Sequence, residues 1–68
     1  MSQDAEKAAV EAGRFTVNAL PAVHREALCT MKMLGESEHL IGYIDALQNE
    51  NLISSDQGDE ICAWYEFG

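Results

Sequence analysis

The stretch LPAVHREALCTMKMLG, residues 20–35, decides the fold. A residue before proline avoids the helical region, whereas proline itself is well tolerated at the first helical position. Leu20-Pro21 therefore ends one helix and starts another. At the far end, Gly35 supplies the left-handed conformation that closes a helix. Between these stops, Val23, Ala27, Leu28, Met31 and Leu34 recur at three- and four-residue spacing and form one apolar stripe. Arg25, Glu26 and Lys32 fall largely outside it. The spacing predicts a helix over Pro21–Leu34.

Working upstream, a first helix is expected from Gln3 to Asn18, capped by Ser2 or Asp4. Asp4 and Glu6 in its first turn favour the positive end of the helix dipole. Ala5, Ala8, Ala9, Ala12, Phe15 and Ala19 share one face, read here as the core side, with Val10 and Val17 lying to one side of it. Gly13 costs a helix about 1 kcal/mol relative to alanine, and a close crossing of another helix would account for it.

Downstream, a third helix is expected from near Ser37 to Glu50, with Leu40, Ile41, Ile44 and Leu47 facing the core and Tyr43 at the edge. Gly42 marks either weakness or close packing. Asn49-Glu50-Asn51 reads as a helix end, because asparagine tolerates the left-handed conformation. Leu52 and Ile53 then tuck into the core. Ser54 followed three residues later by Gln57 is a capping-box pattern. It opens a last helix over Ser55–Glu66 that carries Ile61, Cys62, Trp64 and Tyr65. No segment alternates with the period of a half-buried strand. The expected fold is all-α: one domain over residues 1–68, with three to four short helices in an orthogonal or bundle-like arrangement.

A chain of 68 residues buries only about 60% of its unfolded surface, so its stability margin is thin. Cys29 and Cys62 allow one disulfide at most. The first twenty residues lack the apolar core of a signal peptide, and no apolar run nears the roughly 18 residues of a membrane span. The expectation is a cytoplasmic protein with reduced thiols and no membrane association. Self-association then becomes the expected stabiliser, with a homodimer as the commonest form.

The formal net charge is −8, and it is unevenly placed. Residues 1–32 hold four acids and four bases, which cancel. Residues 33–68 hold eight acids (Glu36, Glu38, Asp45, Glu50, Asp56, Asp59, Glu60, Glu66) and no Lys or Arg. No salt bridge between Lys or Arg and a carboxylate can form within that half.

Motifs for chemistry are missing. His24, Cys29, His39 and Cys62 stand singly, not in the close pairs of a zinc site. A calcium loop from Asn49 fails because Ile53 and Ser54 stand where an oxygen ligand and the turn glycine belong. There is no nucleophile elbow, phosphate loop or metalloprotease motif. No enzyme activity and no metal or other cofactor are expected. Met31 and Met33 read as core filler.

Leu20-Pro21-Ala22-Val23-His24-Arg25-Glu26-Ala27-Leu28 resembles the L-P-x-x-x-R-E-x-L start of the sigma-factor region that reads the −35 promoter element. The resemblance spans nine of 68 residues. It implies a helix-turn-helix whose recognition helix carries basic residues, yet the segment after Lys32 has none, and carboxylates oppose phosphate contact. Direct nucleic-acid binding is not expected.

The function expected is a small acidic regulator or inhibitor that binds a protein with a basic surface. One form of it is a decoy of nucleic acid, as phage or mobile elements encode against host proteins. Glu36, Glu38, Asp56, Asp59, Glu60 and Glu66 are the candidate acidic face. Trp64, Tyr65 and Phe67 are candidate anchors, with Trp64 and Tyr65 also suited to closing the core. The alternative is a structural or assembly subunit acting through homo-oligomerisation, with a helix-turn-helix-type transcription regulator ranked below both.

Overall fold

The computed structural model describes the backbone from Ser2 to Gly68 and side chains from Asp4 onward. Four helices and no strand occur among the described residues: α1 (Ser2–Ala19), α2 (Ala22–Leu34), α3 (Ser37–Asn49) and α4 (Ser55–Phe67). Each boundary lies within one or two residues of the sequence expectation, and the expected all-α fold is what forms. A cap on α1 from Ser2 lies outside the described side chains. The radius of gyration is 11.1 Å, close to the value of about 11 Å for a compact chain of this length.

The helix ends follow local chemistry. Pro21 precedes α2 with an extended ψ of 151°, and its carbonyl accepts from the backbone N–H groups of His24 and Arg25. Gly35 has φ +70°, and both its own N–H and that of Glu36 return to the Met31 carbonyl. The end of α3 repeats the device with a non-glycine residue. Asn51 sits at φ 61°, its N–H donates to the Gln48 carbonyl, and the Leu52 N–H donates to the Leu47 carbonyl. These are the paired bonds of a Schellman closure. At the start of α4, the Ser54 N–H donates to Gln57 Oε1 at 2.7 Å, and the Gln57 N–H donates to Ser54 Oγ at 3.1 Å. Ser54→Ala removes one half of this capping box and should cost about 1 kcal/mol in a urea melt. An unchanged midpoint would show that the box contributes nothing.

The core is a single cluster of Val17, Leu20, Leu28, Met31, Leu40, Ile44, Leu47, Ile53, Ile61 and Trp64. α1 packs most extensively on α4, while α2 and α3 join it through their neighbours in sequence. The α1–α4 crossing is close. A Cβ built on Gly13 would meet the Glu60 carbonyl carbon at 2.6 Å and Trp64 Cβ at 2.8 Å. Gly13 is thus at the expected crossing. Gly42 is not, since a Cβ there meets nothing within 4 Å.

The expected core face of α1 is overturned. Val10, Thr16, Val17 and Leu20 are buried together with Gly13, whereas Phe15 is 76% exposed and Ala5, Ala8 and Ala19 face solvent. Both faces carry helical apolar spacing. The one chosen buries two valines and a leucine, with glycine at the contact where alanine would collide. Val23, Leu34, Ile41 and Leu52 also lie outside the core, and Met33 is not core filler. Helices of 13 residues present few positions to a core this small, and side chains one position off the stripe centre are left out.

Candidate functional site

Three groupings of polar and aromatic side chains emerge from this fold. The first lies between α2 and α3. The His24 ring and the Tyr43 hydroxyl share a hydrogen bond of 2.6 Å between Nδ1 and the phenolic oxygen. The His24 and His39 rings both meet Tyr43 edge-on, with centroids 5.7 and 6.3 Å away. Sequence reading placed these histidines singly at the surface and missed their grouping. They stand 15 residues apart on different helices, and only the turn at Gly35 brings them to one tyrosine. Among the described residues, no set of three or more His, Cys, Asp or Glu side chains is arranged to hold a metal ion.

The second grouping surrounds the end of α4. Lys32 Nζ donates to the Tyr65 carbonyl at 3.1 Å and lies 5.4 Å from the centroid of the Trp64 ring. The last cation of the sequence therefore caps the C-terminal turn of α4, whose free carbonyls carry partial negative charge. Trp64 is only 6% exposed. Its place is in the core, which leaves it no face for a partner. Tyr65 is half-buried against that core, and Phe67 remains 61% exposed.

The third grouping is the face between α3 and α4. The two helices meet after the turn at Asn51, with Gly58 set against Ile44 and Gln48. A shallow groove of about 220 Å³ follows, lined by Ile41, Ile44, Asp45, Gln48, Gly58, Asp59 and Cys62. Helical spacing extends it in both directions. Glu38, Ile41 and Asp45 fall at i, i+3 and i+7 on α3, as do Asp59, Cys62 and Glu66 on α4. Each helix thus carries an acid, an apolar residue and a second acid along the same edge. Ile41 is 65% exposed although large and apolar. Burial pushes the Cys62 thiol above its ordinary pKa, and the carboxylates of Asp59 and Glu66 add to the shift. A thiol held protonated in this way is a poor nucleophile or metal ligand and serves here as apolar floor.

The six candidate acids do not gather on one face. Asp59 lines the α3–α4 groove, Glu66 stands close enough to act on its Cys62 thiol, and Glu38 lines a separate depression at the start of α3 with Gly35, Glu36, Ser37 and His39. The backbone of half-buried Glu60 meets Gly13 of α1, Phe67 lies with Glu6, Lys7 and Val10 of that helix, Asp56 is exposed in the first turn of α4, and Glu36 precedes α3. Asp45, Ile41 and Cys62 belong to the groove and were not among the candidates. Asp45 was legible only as one acid among eight. Ile41 was assigned to the core because it fits the stripe of α3.

Comparison with protein-family models, with curated proteins and with solved structures finds no match to this chain. No helix among the described residues is long and apolar enough to cross a membrane.

Proposed function

We propose that this protein is a small acidic binder of another protein, a regulator or inhibitor that acts by occupying a basic, partly apolar surface. The observation that carries the reading is the α3–α4 groove, where exposed Ile41 lies with Asp45 and Asp59, and Glu66 stands close enough to act on the Cys62 thiol that shares it. An apolar side chain ringed by carboxylates suits a segment that presents one aliphatic or aromatic residue flanked by Lys or Arg. Buried apolar contact supplies most of the affinity in such an encounter, while the charges speed association and reject acidic partners. With no Lys or Arg beyond residue 32, nothing on this half of the chain competes for those carboxylates.

The test maps a defined probe, an amphipathic helical peptide of leucine and lysine, by amide chemical shifts on the labelled protein. Shifts should centre on Ile41, Asp45, Asp59 and Cys62. Ile41→Ser should weaken binding by about tenfold, and raising the salt concentration should slow association. Shifts spread over every acidic residue alike, or centred on α1 and α2, would reject this face as the site.

A further inference from the structure

We propose that Lys32 is a positioning residue for the α3–α4 groove: by holding the last turn of α4 from outside the groove, it keeps the Glu66 carboxylate beside Cys62. The inference rests on the reading of that groove as the binding face. Lys32 lies in the last turn of α2 and is half-buried. Its ammonium donates to the Tyr65 carbonyl at 3.1 Å and sits 5.4 Å from the centre of the Trp64 ring. That carbonyl belongs to the peptide unit that leads into Glu66. It lies in the turn where a helix has no N–H groups of its own left to meet its carbonyls. The preceding carbonyl, that of Trp64, is taken by the Gly68 N–H. The Trp64 side chain is fixed in the core, so the two contacts of Lys32 tie this turn to a rigid neighbour.

The choice of contacts matters in a chain with twelve carboxylates. Paired with Glu66, the ammonium would cancel the charge that a cationic partner needs. Directed to a main-chain carbonyl and an indole face, it fixes backbone and leaves the Glu66 charge to the groove. Glu66 acts there, because burial, Asp59 and Glu66, in that order, hold the Cys62 thiol above its ordinary pKa. Loss of the Lys32 ammonium then has two consequences of opposite sign. Removing a cation, taken alone, disfavours the Cys62 thiolate and favours a basic partner. Releasing the last turn of α4 draws Glu66 away from Cys62, which favours the thiolate and weakens the hold on that partner.

The test uses the full chain with Cys29→Ser, so that thiolate absorbance reports Cys62 alone. Lys32→Met keeps an aliphatic stem near Trp64 and removes the ammonium. It should stay helical, let the Glu66, Phe67 and Gly68 amides exchange about tenfold faster, and lower the Cys62 pKa. It should also weaken binding of the helical leucine–lysine peptide by about threefold. Glu66→Gln should have the same effects on the thiol and the peptide, with no further change when the two are combined. Lys32→Arg, which can still donate and stack, should behave as the native chain. A Cys62 pKa unchanged or raised in Lys32→Met would overturn the proposal, as would additive effects in the double variant or loss of all helical signal. A peptide that misses the groove, while thiol and amides respond as expected, would reject the groove as the binding face and leave the Lys32 tie standing. A peptide seated in the groove but indifferent to Lys32→Met would reject the tie alone.

Discussion

Gly13→Ala is expected to lower the stability of the domain by about 3 kcal/mol, although alanine is the better helix former. The added methyl would fall on the Glu60 backbone and on Trp64 Cβ. Neither is the free end of a side chain that can swing aside, so α1 and α4 must separate. Separation would loosen Val10, Val17, Ile61 and Trp64 together. The same substitution at Gly42 meets open space and should stabilise by about 1 kcal/mol, since only the helix preference changes. Urea melts of the two variants should therefore move in opposite directions. Equal shifts would mean that α1 and α4 do not cross closely at residue 13.

Trp64→Ala is expected to cost about 3–5 kcal/mol, which is as much stability as a core of this size usually holds. The indole lies in the central cluster, abuts the Gly13 crossing and carries Lys32 over its ring. Its loss leaves a cavity at the largest helix–helix contact and removes one of the two contacts made by Lys32. The helical circular dichroism signal of this variant should fall toward that of an unfolded chain at 25 °C. Trp64→Phe keeps an aromatic ring in place and should remain folded with a lower melting temperature. A folded, cooperatively melting Trp64→Ala would show that the α1–α4 contact is held by other residues.

The legible parts of this fold are those whose causes are local. Pro21, Gly35, Asn51 and the Ser54–Gln57 pair act on backbone within a few residues of themselves, and each ends or starts a helix where expected. The inward face of α1 was not legible, because two faces carry apolar spacing and the selection is made by α4. A clue was present nonetheless. Gly13 was read as a crossing point, and its helical neighbours at i−3 and i+4 are Val10 and Val17, not the alanines. Followed through, that reading would have turned the helix the right way round.

The candidate site divides along the same line. A chain whose acids outnumber its bases only beyond residue 32 is visible by counting. How those acids divide among the groove, the turn before α3 and the α1 contact of α4 depends on how the helices pack together. Ile41 shows the difficulty. Its spacing fits the buried stripe of Leu40, Ile44 and Leu47, but it sits in the shallow groove to which α4 contributes Gly58, Asp59 and Cys62, and stays 65% exposed.

The crossing of Gly13 with Glu60 also governs when this protein can take shape during its synthesis. α1 leaves the ribosome first, with Val10 and Val17 bare, and its counterpart on α4 is translated only after α2 and α3 have emerged. Until then the nascent chain offers its apolar ridge to chaperones and proteases, and rare codons placed ahead of residue 60 would lengthen that exposure.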